Sequence, residues 1–185
     1  TGIKISLILC VTSLAYFFIF SNNFIFYLAL SYLITNFSYS FFLKKIKYVD
    51  LLTIVFGFII RIYIGSFASD IVLSNFLIFQ IVLFVLFVLI CKRREYFFSF
   101  EKNVSSKYSI IELNFLSKLF LILNILNYLF CIFNYKIFIN SLVLFISLLI
   151  YSTLLLRYFV INFKNKEFDP ITIYLTDKYL ILLSV

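Results

Sequence analysis

The sequence predicts an all-α, polytopic transmembrane helical bundle, and three observations carry that prediction. The chain is 64% hydrophobic and 13% charged over 185 residues, more apolar surface than a water-soluble fold of this size can bury beneath a polar coat. Its apolar residues fall in long runs, and two of them, 24–43 and 71–91, match the roughly 20 residues that a helix needs to cross about 30 Å of hydrocarbon. Its cations collect in the short gaps between runs. An open sheet edge in lipid would leave backbone groups unsatisfied at several kcal/mol each, so such runs cross as helices.

Taken in order, the first span is expected at 5–20, closed by the polar turn Ser21-Asn22-Asn23. The second, 24–43, stops at Lys44-Lys45-Ile46-Lys47. The third, 51–68, is entered just after Asp50, and the fourth, 71–91, stops at Lys92-Arg93-Arg94-Glu95. Residues 95–107 are too polar to span and read as a loop. The fifth and sixth spans, 111–133 and 137–158, are joined by a turn short enough for antiparallel neighbours. A second polar gap, 162–178, contains Asp169-Pro170, where proline opens a turn or a helix, and a further span starts at 179–185. The whole reads as one integral membrane domain, 1–185, with about six spans and both ends cut from something longer.

Charge placement tests that segmentation. If Lys4 is cytoplasmic, alternation of the spans puts Lys44, Lys45, Lys47, Lys92, Arg93, Arg94, Lys102, Lys107, Lys164, Lys166 and Lys178 on the same side, and leaves only Lys136 and Asp70 opposite. The cationic loops are therefore placed in the cytoplasm. The net charge of +8 then faces an anionic leaflet or an anionic substrate, and nucleic acid is rejected as a partner. With no histidine in the chain, a histidine zinc site and histidine general-base chemistry are excluded. Cys10, Cys91 and Cys131 lie in or beside apolar runs and read as buried small hydrophobes.

Arg61 is the sharpest single feature. It lies eleven residues past Asp50, about 16 Å along a helix, where an arginine costs at least about 2.5 kcal/mol unless it is paired or faces a polar cavity. Gly57 and Gly65 flank it at i−4 and i+4 on the same face, which would let a neighbouring helix or a ligand approach the guanidinium. Two readings stand: a structural or snorkelling arginine, and an anion-binding one. Ser40 and Lys44 share a helical face, and Lys92-Arg93-Arg94-Glu95 is either a membrane anchor or a phosphate clamp with an accompanying metal carboxylate.

Tyr39-Ser40 through Leu43-Lys44, then Asp50, Gly57-Phe58, Arg61, Gly65, Lys92-Arg93, Glu95, Tyr108, Asp169-Pro170 and Asp177 together resemble the UbiA prenyltransferase superfamily. Within it they look most like the decaprenyl-phosphate phosphoribosyltransferase branch. The resemblance covers nearly the whole chain in order. It implies a UbiA-like bundle of nine helices around a central cavity, truncated here, in a bacterial inner (plasma) membrane. The implied reaction moves a 5-phosphoribosyl group from 5-phosphoribosyl diphosphate to polyprenyl phosphate, with Mg²⁺ on the leaving diphosphate in the full-length parent. Thr1-Gly2 matches the pair that opens the family's third helix, so the first aspartate-rich motif is expected upstream and the fragment is expected to be inactive alone. Cys91 departs from the family's usual glycine and is expected to crowd the cavity floor.

Carried over residue by residue, Lys44, Arg61, Lys92 and Arg93 are implied phosphate ligands. Tyr39, Asp50, Glu95, Asp169 and Asp177 are implied orienting groups, with Glu95 the one candidate metal group in an incomplete site. No catalytic residue is assigned. The alternatives are a UbiA-type prenyltransferase with another acceptor and a non-enzymatic transport or structural membrane protein, in which Arg61 pairs with a buried acid.

Overall fold

The computed structural model describes residues 5, 9, 12, 13, 15, 18, 23–99, 108–135, 141–164, 177 and 179. Most of the expected first span, the loop at 100–107, Asp169 and nearly all of the run at 179–185 lie outside the described residues. Five long helices follow one another: α1 (Asn23–Phe41), α2 (Val49–Ala68), α3 (Asn75–Ser99), α4 (Ile110–Tyr135) and α5 (Ser141–Lys164), with a 3-10 turn at Leu43–Lys45 between the first two. All five are long and apolar enough to cross a membrane. Large apolar side chains such as Ile111 and Leu142 remain 78% and 74% exposed on them, a surface that suits lipid tails and not water. The protein is a polytopic membrane-spanning helical bundle.

Helix ends are set by polar side chains, and several fall away from the charge clusters. Helix α3 starts four residues after Ile71 because Ser74 caps it, its Oγ accepting from the Leu77 N–H at 3.2 Å. It then continues through Lys92-Arg93-Arg94-Glu95 to Ser99, since long charged side chains are good helix formers and their charge alone does not end a helix. Helix α4 opens on a capping box: Ser109 Oγ accepts from the Glu112 N–H at 3.2 Å, and Glu112 Oε2 accepts from the Ser109 N–H at 3.1 Å. Helix α1 ends at Phe41, so Lys44 sits in the 3-10 turn and does not continue the helical face of Ser40.

The chain divides into two compact units, Thr1–Ile78 and Phe79–Val185. In the first, α1 and α2 form an antiparallel hairpin, with Phe24 meeting Phe67 edge to face at 4.6 Å between ring centres. Tyr48 enters α2 at φ 65°, a backbone conformation costing a side-chain-bearing residue about 1–2 kcal/mol. It is held there by the Leu52 N–H on its carbonyl at 3.0 Å, with the Asp50 N–H on the Ile46 carbonyl at 3.2 Å closing the turn.

In the second unit α3 meets the antiparallel pair α4–α5 along one seam. Gln80, Phe87 and Arg94 recur every seven residues and so share one face of α3. Phe87 and Cys91 are fully buried and pack with Leu121 of α4 and Leu155 of α5. Cys91, expected to crowd a cavity floor, is thus a core residue of this unit. Near the start of the seam the Gln80 amide donates to Tyr151 Oη at 2.6 Å and to Asn124 Oδ1 at 3.3 Å, and accepts from Asn127 Nδ2 at 2.6 Å. Tyr151 in turn donates to Asn124 Oδ1 at 3.1 Å and stacks on Tyr128. Side-chain bonds of this kind between membrane helices average about 0.6 kcal/mol each, so a connected set contributes a few kcal/mol of cohesion and fixes which faces meet.

Candidate functional site

The first unit contains a polar cleft between α1 and α2. Residues Tyr32, Asn36 and Tyr39 face it from α1, and Thr53, Ile54, Gly57, Phe58 and Arg61 from α2. Positions 32, 36 and 39 repeat at i, i+4 and i+7, and 53, 57 and 61 at i, i+4 and i+8, so each helix presents one stripe. The cleft has a volume of about 100 Å³. That admits several waters or one small polar group, and falls short of the roughly 300 Å³ of pockets that enclose a whole drug-sized ligand.

Gly57 explains how the two stripes come close. It is buried, and a Cβ built on it would lie 3.6 Å from a ring carbon of Tyr32. The tyrosine ring therefore lies against the α2 backbone, and a side chain larger than alanine at residue 57 would displace it. Gly65 has nothing within 4 Å of the same construction, so close approach at that glycine finds no support among the described residues.

Arg61 is exposed and donates through Nη2 to the Tyr32 hydroxyl. Its guanidinium carbon lies 4.8 Å from the Tyr32 ring centre and 5.4 Å from that of Phe58, within the range of cation–π attraction. Among the described residues no carboxylate pairs with Arg61, so the buried ion pair of the structural reading is not found there. Asp50, on the same helix, is 1% exposed and its Oδ1 accepts from the Leu51 N–H at 2.9 Å. A guanidinium has five N–H donors, and the one bond to Tyr32 leaves the others without a protein partner among the described residues.

The second unit holds Lys92, Arg93 and Glu95, all half-buried on α3. Their neighbour Arg94, which belongs to the same cationic cluster but was given no site role of its own, is the buried one, at 7% exposure. Its Nε donates to Asn114 Oδ1 at 2.8 Å on α4, and its Nη1 to the Asn162 carbonyl at 2.7 Å on α5. Phe163 lies under the guanidinium, 3.6 Å from its carbon. Arg94 thus ties three helices together. The seven-residue spacing from Gln80 through Phe87 was the signal that singles it out from Lys92 and Arg93.

Of the remaining expected residues, Lys44 is exposed in the 3-10 turn. Asp177 accepts from Arg157 Nε of α5 at 3.0 Å through Oδ2 and from the Tyr179 N–H at 2.9 Å through Oδ1. Among the described residues no three His, Cys, Asp or Glu side chains gather to hold a metal. Mg²⁺ prefers near-octahedral oxygen coordination, which buried Asp50 and half-buried Glu95 do not furnish by themselves. No family model matches the chain, and the search of curated proteins likewise returned no match.

Proposed function

We propose that this chain belongs to a membrane phosphoribosyltransferase that moves a 5-phosphoribosyl group from 5-phosphoribosyl diphosphate to polyprenyl phosphate. The observation that carries the reading is Arg61, placed in the apolar span α2 beside a small polar cleft, with most of its donors uncommitted among the described residues. An arginine kept in a span is costly unless it is paired or faces a polar cavity; among the described residues Arg61 has no carboxylate partner, and a phosphoryl group is an anion whose oxygens a guanidinium fork matches. The ordered resemblance to the UbiA superfamily supplies the substrates.

In the proposed reaction an oxygen of the lipid phosphate attacks the ribose anomeric carbon. The new carbon–oxygen bond forms as the bond to diphosphate breaks, and diphosphate leaves with the electron pair. Lys44, Arg61, Lys92 and Arg93 are assigned to substrate phosphates, Tyr39 to orientation, and the apolar helices to the polyprenyl tail. Mg²⁺ is retained in the proposal as a companion of the diphosphate in the full-length enzyme, and no step is derived through it.

The deciding assay supplies membranes containing the full-length protein with radiolabelled 5-phosphoribosyl diphosphate, polyprenyl phosphate and Mg²⁺. Label is expected in the lipid fraction only when polyprenyl phosphate is present. Its absence there, with the protein inserted, would sink the reading. The proposal also sets an orientation in a bacterial inner membrane. Cysteines introduced at Asn22, Ser69 and Asn134 should be labelled from outside intact cells, whereas those at Lys45, Lys102 and Lys166 should be protected; the reverse pattern would remove the cytoplasmic assignment of the cationic loops.

A further inference from the structure

We infer that Tyr32 is the positioning residue of the α1–α2 cleft, and that the cleft takes one phosphoryl group, held by an Arg61 guanidinium that Tyr32 keeps in a fixed orientation. The inference rests on the phosphate-binding reading of Arg61 given above and adds to it the residue that makes the arginine a directed donor.

Three contacts carry it. The Tyr32 hydroxyl accepts from Arg61 Nη2, and its ring lies 4.8 Å from the guanidinium carbon, so edge and face are restrained by one side chain. Gly57 supplies the space, since the Tyr32 ring carbon stands 3.6 Å from where its Cβ would be. Phe58, 5.4 Å from the same guanidinium carbon, adds a second aromatic neighbour. A free arginine side chain has many rotamers to lose on binding an anion. One already held by a hydrogen bond and ring contact has lost part of that freedom before the ligand arrives. The remaining N–H groups then meet a cleft whose other polar lining is neutral: Asn36, Tyr39 and Thr53. One fixed cation and a neutral polar lining in about 100 Å³ suit a single phosphoryl group.

The test uses the full-length protein in nanodiscs with ¹⁵N-labelled arginine, the Arg61 side-chain signals being assigned by their loss in Arg61→Lys. Two probes are titrated separately: inorganic phosphate, for a soluble source, and phosphatidic acid in the nanodisc, for a lipid source. Wild type should show slow rotation of the Arg61 guanidinium, and its signals should shift with at least one probe. Tyr32→Phe keeps the ring and removes only the hydroxyl, so it should speed that rotation and weaken the responding probe about tenfold, as expected for one hydrogen bond to a charged group.

Unchanged rotation in Tyr32→Phe overturns the positioning role, and so does unchanged affinity. No response of the Arg61 signals to either probe in wild type overturns the phosphoryl site. These readouts need no turnover. A wild-type protein that fails to make labelled lipid yet passes them would reject the phosphoribosyl reaction while leaving Tyr32 and the cleft in place.

Discussion

Arg61→Leu in the full-length protein is expected to reduce phosphoribosyl transfer by roughly 10²–10³-fold, the scale seen when a single preorganised donor to developing charge is removed. The substitution should leave insertion and folding close to wild type. Arg61 is exposed and its one protein hydrogen bond among the described residues is to Tyr32, so its loss breaks a single bond and empties no buried packing. Leucine also suits the span better than arginine by a few kcal/mol. Expression level and detergent unfolding would be measured beside turnover. A well-expressed Arg61→Leu protein with wild-type turnover would return the arginine to a structural role.

Arg94→Met should act the other way round, on stability first. It removes the hydrogen bonds of a charged donor to Asn114 Oδ1 at 2.8 Å and to the Asn162 carbonyl and Oδ1 at 2.7 and 3.3 Å, and leaves those acceptors facing an apolar side chain. Bonds to charged groups contribute about 1.5–3 kcal/mol each, and partial relaxation brings the expected loss to roughly 2–4 kcal/mol. Arg94→Lys should recover little, because an ammonium on a flexible stem does not reproduce a planar fork that reaches two helices at once. Equilibrium unfolding in mixed micelles would read the effect. An Arg94→Met protein as stable as wild type would mean that the three-helix contact contributes nothing.

Those two arginines show how far the sequence could be read. The membrane class was legible because it depends on run length and composition, which need no partner to interpret. The unusual position of Arg61 was legible for the same reason. Gly57 marked a point of close approach, but not what approaches: Tyr32 is 29 residues away, and no local period links the two. Helix ends were misjudged where charge was taken as a stop. Ser74 and the Ser109–Glu112 box both begin helices by satisfying free N–H groups, and the second of these is a readable pattern. In the Lys92-Arg93-Arg94 run the three cations are each separated by about 100° around the helix. Only the seam through Gln80 and Phe87 says which of them turns inward, and a polar glutamine in an apolar run was the overlooked pointer to it.

The two polar contacts on α3 have a mechanical consequence. Gln80 and Arg94 are fourteen residues apart, about 21 Å along the axis, and each is bonded to both α4 and α5. A piston stroke of α3 by one turn would carry each side chain about 5.4 Å from its present acceptors and break both ends at once. Rotation is opposed as well, because Phe87 midway along the seam is wedged in the apolar core. Helices α3, α4 and α5 therefore form a block pinned at both ends, in which sliding of one helix past the others must break both sets of bonds together.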